Sequence, residues 1–126
     1  MREILFRGKR TDNDKWVYGN LFIPDIKDTP TQICIGTNVI RATYDIDPST
    51  VGQYTGLTDK NGKKIFEGDI VKIKGKVRYI FYGASSFRHT NYGEYAAELQ
   101  DVFTEKCCEV IGNKIDNPEL LRSDIE

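Results

Sequence analysis

The sequence predicts a mainly β protein: a small, partly open antiparallel barrel or a sandwich, with N-terminal hairpins and a short C-terminal helical turn. Three observations predict this class. Short apolar runs are separated by polar turns, Gly and Asn lie between the runs, and little of the chain repeats its apolar residues every three or four positions as an amphipathic helix would. The length of 126 residues, without a Pro-rich or Ser-rich linker, predicts that 1–126 form a single domain.

The N-terminal third is predicted to contain two pairs of strands. A short apolar run at Ile4–Arg7 and a second run from Trp16 to Ile23 flank a polar loop and predict an opening hairpin. Residues 24–30 are polar and contain two prolines, which favours a loop. Residues 32–35 and 39–44 then resume the composition of strands and predict another pair.

Two turns are predicted in the middle of the chain. Asp47 precedes Pro48, so the acid can cap a short helical turn in which proline takes the first position. Further on, Asn61-Gly62 separates Leu57 from the apolar pair 65–66, and this pattern is typical of a hairpin or tight reversal.

The clearest alternation runs from Val71 to Tyr82. Apolar residues of one parity alternate with cations of the other, and a half-buried strand places the two sets on opposite faces. The apolar set is Val71, Ile73, Val77, Tyr79 and Phe81, and the cationic set is Lys72, Lys74, Lys76 and Arg78. Gly75 interrupts the apolar row and marks a bulge, a bend or a turn that divides the segment into two strands.

The last third is predicted to be less regular. Residues 83–93 have the composition of a polar loop with aromatic residues, which places His89 in a loop, and residues 94–102 fit either a strand or a short helix. Residues 107–111 predict a closing strand, and Asn117-Pro-Glu resembles the start of a short terminal helix.

Charge and composition limit where the protein acts. With 18 Lys and Arg against 19 Asp and Glu, the net charge of −1 gives no long-range attraction for nucleic acid or for an anionic membrane, so any basic surface must be local. Residues 1–10 lack the apolar core of a secretion signal, and no apolar run approaches the roughly 18 residues of a membrane span. We therefore expect no membrane association, a cytoplasmic location in a bacterial host cell, and reduced thiols at Cys34, Cys107 and Cys108.

Metal sites are not predicted. The segments 12–14 and 59–61 carry oxygen donors but lack the glycine and the terminal glutamate of a calcium loop. Cys107 and Cys108, with only His89 and the distant Cys34 available, lack the paired spacing of structural zinc ligands.

Catalytic motifs are also missing from the sequence. A cysteine nucleophile needs a nearby base, and His89 is the single histidine; adjacent cysteines in a strand are instead expected to face opposite ways, one of them buried. There is no phosphate-binding loop, nucleophile elbow or dinucleotide fingerprint. We expect no catalytic residues, no cofactor and no enzyme. A weaker alternative is an uncharacterised enzyme whose pocket gathers Glu67, Asp69, His89 and Glu94 from separate loops.

One long motif carries a family resemblance. The stretch Thr50-Val-Gly-Gln-Tyr-Thr-Gly-Leu-Thr-Asp-Lys-Asn-Gly-Lys-Lys-Ile-Phe-Glu-Gly-Asp-Ile-Val71 resembles the signature of the YopX family. Phe6-Arg-Gly-Lys and Trp16-Val-Tyr-Gly19 resemble its opening, and the segment from Val110 to Leu121 resembles its ending. The resemblance implies a β-rich fold and a phage or prophage setting, and it implies no catalytic residue set.

The motif also has a structural interpretation. Glycines at 52, 56, 62 and 68 are predicted to form sharp turns or close backbone approaches. Ile65 and Ile70 are predicted to enter the core, while Glu67 and Asp69 are predicted to accept hydrogen bonds from neighbouring backbone amides.

Two functional hypotheses follow. The first is a noncatalytic phage accessory protein that forms a homo-oligomer or binds a phage or host protein, with exposed sheet edges as contact surfaces. The second is a single-stranded nucleic-acid-binding module in which cations follow the phosphates and aromatic residues stack on bases. Its binding residues are predicted to be Lys72, Lys74, Lys76, Arg78, Tyr82, Phe87, Arg88 and Tyr92. The competing interpretation is that these lysines only cover a solvent face and discourage pairing of strand edges.

Overall fold

The structure of the chain, a computed structural model, describes residues 3–25, 27–36, 41–83, 86–90, 97–99 and 104–123. Its strands are β1 (Phe6–Lys9), β2 (Trp16–Phe22), β3 (Gln32–Gly36), β4 (Arg41–Asp45), β5 (Gly52–Thr58), β6 (Lys64–Phe66), β7 (Asp69–Ile73), β8 (Lys76–Gly83), β9 (Ser86–Thr90), β10 (Ala97–Glu98) and β11 (Cys108–Asn113). Two short helices are α1 (Thr104–Cys107) and α2 (Glu119–Ser123). The mainly β prediction is confirmed; the antiparallel sheets stay open rather than closing into a barrel. Among the described residues, no helix combines the length and the apolar character that crossing a membrane requires.

The chain divides into two compact units, residues 1–54 and 55–126. Strand β5 begins in the first unit and ends in the second. That the whole chain forms a single domain stays a prediction.

The first unit is an antiparallel sheet with the strand order β4-β3-β2-β1-β5. The predicted opening hairpin is confirmed, with Phe6 opposite Gly19 across β1 and β2. Fully buried Ile33 lies on the inner face of this sheet, and Ile46, which follows β4, is 1% exposed. After β4, Pro48–Thr50 form a 3₁₀ turn in which the Asp47 carboxylate accepts a hydrogen bond from the backbone amide of Ser49 at 3.0 Å, so the predicted cap is also confirmed.

The second unit contains a five-stranded sheet with the order β10-β9-β8-β7-β11. Its core is apolar and drawn from several strands. The buried members are Ile65, Val71, Ile73, Ile80, Phe87, Leu99 and Cys108. Ile65 and Ile70 are fully buried, as the motif predicts, and Gly56, Gly62 and Gly68 have positive φ values that favour glycine. This sheet and its connecting turns position the candidate site described below.

The segment 71–82 is a hairpin and not a single strand. Lys74 and Gly75 have φ values of 51° and 82°, the combination that a two-residue type I′ turn requires, and Ile73 lies opposite Lys76. Because the turn contains two residues, parity reverses across it: Val71 lies opposite Arg78, and Val77 lies opposite Lys72. A turn that divides the segment into two strands was one of the three alternatives predicted for Gly75, and that alternative is confirmed.

Other elements differ from the prediction near the C-terminus. Residues 86–90 form strand β9, so the prediction of a loop from 83 to 93 is wrong there, and His89 lies in a strand. The polar composition of β9 is typical of a loop, which is why the sequence did not predict a strand there. Helix α1 was not predicted, whereas the closing strand β11 and the terminal helix α2 are confirmed. Within 94–102 the described part contains β10.

Candidate functional site

The predicted cationic strand face does not exist as one surface. Lys72, Lys74 and Lys76 are exposed, but Arg78 is only 6% exposed. The turn at 74–75 places Arg78 on the same face as Val71, towards the core, while Lys72 points to the opposite face. The prediction that these four cations share one solvent-exposed face is therefore wrong. It extended the alternation of apolar and cationic residues across residues 74–75, where the turn reverses which parity faces the core.

The predicted aromatic members are likewise dispersed. Tyr82 is exposed and contacts buried Phe87 edge-on, with ring centroids 5.1 Å apart. The Arg88 guanidinium donates to the carbonyl of Gly83 at 2.9 Å and lies 3.7 Å from the Glu98 carboxylate. Tyr92 lies outside the described residues. That this set binds nucleic acid stays a prediction. Phe87 packs in the core, and the Arg88 side chain interacts with Gly83 and Glu98.

Four lysines meet instead at a pocket in the second unit, which we call the lysine pocket. It has a volume of about 200 Å³ and is lined by Lys60, Lys72, Lys74, Gly75, Lys106, Cys107 and Glu109. All four lysines are exposed, and within the described ranges none of their ammonium groups forms an ion pair. Glu109 is the one acidic residue among the described residues that line the pocket. The pocket is therefore a local concentration of positive charge on a chain whose net charge is −1.

Neighbouring elements bring these lysines together. Lys72 in β7 lies directly opposite Glu109 in β11. Lys106 lies in the last turn of α1, the short helix that leads into β11, and the backbone amide of Lys60 donates to the carbonyl of Cys108 at 2.9 Å. Lys74 occupies the tip of the β7–β8 hairpin. The sequence analysis missed Lys60 and Lys106, because no spacing along the chain indicates that a turn, a hairpin tip and a helix end converge.

Asp59 anchors one wall of the lysine pocket. Its side chain is buried and accepts backbone hydrogen bonds from Asn61, Lys63 and Val110, each at 2.9 Å. Burial by itself raises the pKa of this carboxyl group, but the three amides outweigh it and hold the pKa below its ordinary value. One carboxylate thus fixes the turn after β5 and ties it to β11.

We expect Asp59→Asn to lower the free energy of unfolding by about 2 kcal/mol at neutral pH, because Asp59 accepts through both carboxylate oxygens and the NH₂ group of asparagine replaces one of them, which leaves at least one buried backbone N–H without its acceptor. Since the folded pKa is lowered, the contribution of Asp59 is present above the unfolded pKa and is lost as pH falls through the folded pKa. Urea unfolding at several pH values between neutral and acid checks this. An Asp59→Asn protein whose stability difference from wild type stays constant down to acid pH contradicts it.

The two adjacent thiols differ in burial. Cys108 is fully buried, and burial, assisted by the charge of Asp59, raises the pKa of its thiol to about 12. It is therefore a neutral packing group at physiological pH. Cys107 is half-buried at the edge of the lysine pocket, and all three cysteines are free. As predicted, one of the adjacent cysteines is buried and the other is nearer to solvent.

Two residues of the weaker enzyme hypothesis, Asp69 and His89, form hydrogen bonds outside the lysine pocket. The Asp69 carboxylate accepts a hydrogen bond from the amide of Phe66 at 2.7 Å, which is the structural role the motif predicts. His89 accepts a hydrogen bond from Arg78, and Glu94 lies outside the described residues. Neither Asp69 nor His89 lines the lysine pocket. In the described part of the chain no three His, Cys, Asp or Glu side chains are grouped so as to hold a metal ion.

A second pocket, of about 230 Å³, lies in the first unit and is lined by Arg10, Thr11, Asp12, Thr43, Tyr44 and Asp45. Its cation is already engaged. The Arg10 guanidinium donates to both carboxylate oxygens of Asp12, at 2.9 and 2.6 Å, and stacks over the ring of Tyr44 at 4.5 Å. This pocket therefore offers less available charge than the lysine pocket.

Comparisons with known proteins agree on the fold. The solved crystal structure of protein EF1440 from Enterococcus faecalis matches with a TM-score of 0.60 and 22% sequence identity, covering 96% of this chain and 99% of that chain. A search of curated proteins found no match. The family model described as YopX protein matches residues 5–122, nearly the whole sequence. The resemblance read from the central motif is thus confirmed: this chain belongs to the YopX family.

Proposed function

We propose that the protein is a noncatalytic phage accessory protein that works through self-assembly, with strand β4 as the contact. The observation that carries the proposal is the exposure of this strand. β4 is the outermost strand of its sheet, and four of its five residues are exposed. In the described ranges no strand pairs with its outer side, although the backbone amide of Thr11 donates to the carbonyl of Asp45 at 3.1 Å, so the part of the edge before Asp45 presents backbone donors and acceptors to another strand.

The sequence of β4 favours a second copy of itself as the partner. In an antiparallel pair of two β4 strands centred on Thr43, Arg41 of each copy lies opposite Asp45 of the other. Opposite charges directly across an antiparallel pair stabilise it, and a twofold contact repeats each pair twice. Arg41, Thr43 and Asp45 also share one face of the strand because they alternate along it.

The contact is expected to be weak. A five-residue strand pair buries less than the roughly 1,200 Å² of a stable protein interface. We therefore expect a dimer that dissociates on dilution, with a dissociation constant on the order of 0.1 mM. Light scattering after size-exclusion chromatography and sedimentation velocity, both over a concentration series, measure it.

Charge reversal tests the proposed register. Arg41→Asp places like charges opposite Asp45 of the second copy, and Asp45→Arg places like charges opposite Arg41, so each variant alone is expected to be monomeric. Mixed together, the two variants restore both opposite-charge pairs and are expected to form a heterodimer. Lys76→Asp, at an exposed position of the second unit, is the matched control for Arg41→Asp, since it makes the same change in net charge outside β4.

Two results would overturn the proposal. One is a wild-type chain that remains a strict monomer at millimolar concentration. The other is a pair of single variants that dimerise as well as Lys76→Asp does. Support for a noncatalytic role comes from the engaged carboxylates and the buried, neutral Cys108 thiol, and the family resemblance motivates the phage setting.

A further inference from the structure

We propose that the lysine pocket binds closely spaced phosphate groups, such as those of a single-stranded nucleic-acid backbone or of an inorganic polyphosphate. This inference does not depend on dimerisation through β4, because every lining residue lies within the second unit. It also differs from the predicted cationic strand, since it replaces Lys76 and Arg78 by Lys60 and Lys106.

The first argument is charge. Lysine ammonium groups bind phosphate as point charges with three donors each, and four lysines are among the described residues that line this one pocket, against a single glutamate. Bringing four cations together without ion pairs among the described residues is unfavourable, and an anion bound between them relieves the repulsion.

The second argument is the size and lining of the pocket. A volume of about 200 Å³ is below the usual range of roughly 300–1,000 Å³ for sites that enclose an organic ligand. None of the described residues that line it is aromatic, so these residues offer no platform on which a base can stack. The pocket therefore fits phosphate groups rather than a base or an apolar molecule, and we expect binding without sequence preference.

The third argument is the backbone at Lys74. Its φ of 51° lies in the left-handed region, where a turn of this type favours Asn or Gly. A lysine at this position is disfavoured by the backbone, yet it places an ammonium group at the pocket. A residue that costs stability and adds charge at the site is what a binding role predicts.

Direct titration tests the proposal on the full chain. The probes are a fluorescent oligothymidylate, inorganic tripolyphosphate and orthophosphate, at low salt and at physiological salt. We expect Lys72→Gln combined with Lys106→Gln to weaken binding of the oligothymidylate by about tenfold and to reduce the salt dependence of binding. Glu109→Gln removes the one carboxylate of the pocket and is expected to strengthen binding severalfold.

Lys76→Gln is the matched control. Lys76 is an exposed lysine of the same hairpin, but it does not line the pocket, so its replacement is expected to leave binding within about twofold of wild type. Lys74→Asn separates binding from folding, because it relieves the backbone and removes a charge. We expect it to raise the thermal midpoint and to weaken binding, which a purely structural lysine would not do.

The titrations with different probes also distinguish the two sources of phosphate. Competition of tripolyphosphate against the oligothymidylate supports one pocket that serves both, and tripolyphosphate binding without oligothymidylate binding assigns the pocket to small polyphosphates. Protection of Cys107, but not of Cys34, from alkylation locates the bound anion independently of the variants. The proposal is overturned if no probe binds at low salt, or if Lys76→Gln weakens binding as much as the combined Lys72→Gln and Lys106→Gln variant does.

Discussion

Replacing Gly19 by alanine is expected to lower the free energy of unfolding by about 3 kcal/mol or more. A Cβ atom built on Gly19 overlaps the backbone carbonyl oxygen of Cys34 in the neighbouring strand, and it also meets Ile33 at 3.1 Å. A backbone atom cannot turn away as a side-chain end can, so β2 and β3 must separate. Gly19 does not have a positive φ, so the expected loss is steric and does not come from backbone conformation.

Gly8→Ala is the matched comparison, because Gly8 lies in the adjacent strand of the same sheet. Its added Cβ would meet the terminal methyl of Ile46 at 2.6 Å, and the end of a side chain can shift further than a backbone carbonyl can. We expect a loss of about 1 kcal/mol there. Urea unfolding followed by circular dichroism measures both variants. Equal losses at the two positions, or a Gly19→Ala protein as stable as wild type, would contradict a close approach of β2 and β3.

The fold class was predictable because alternation and turn chemistry are local signals. Asn61-Gly62 and Asp47-Pro48 each specify a turn from two neighbouring residues, and the structure places turns at both. The hairpin at 74–75 was harder to predict, because lysine is a poor indicator of positive φ. Because the strand alternation was extended through this turn, the side chains of β8 were assigned to the wrong faces of the sheet.

The candidate site was much less predictable. Lys72 and Lys74 were identified from the sequence, whereas Lys60 and Lys106 join them only through strand pairing over long separations. Arg78 was misassigned for a related reason. Charged residues are rarely buried, so a strand pattern places arginine in solvent unless a partner is known, and its partner His89 was predicted to be in a loop.

Removing that partner is the second large effect we expect. Buried Arg78 donates from Nε to Nδ1 of His89 at 3.0 Å and from its terminal nitrogen to the His89 carbonyl at 3.3 Å. His89→Leu removes the first acceptor and leaves a buried positive charge less well solvated, for a loss of about 3 kcal/mol. His89→Asn keeps an acceptor near the position of Nδ1 and is expected to lose about 1 kcal/mol.

A double variant checks the cause of this loss. Arg78→Met removes the buried charge, so combining it with His89→Leu is expected to be more stable than His89→Leu alone. Strict additivity of the two single losses would show that the guanidinium does not depend on the imidazole.

The same pair makes stability depend on pH. Burial, together with the positive charge of Arg78, holds the pKa of His89 below its ordinary value of 6.5, and a protonated Nδ1 cannot accept from Arg78. Below pH 6.5, His89 is therefore protonated more readily in the unfolded chain than in the folded chain. The free energy of unfolding falls as pH drops from 6.5 through the folded pKa of His89. We expect the stability advantage of wild type over His89→Asn to shrink over this range and to be constant above pH 7.5 or so. Urea midpoints at closely spaced pH values measure it, and parallel pH profiles for the two proteins would mean that His89 is not the titrating group.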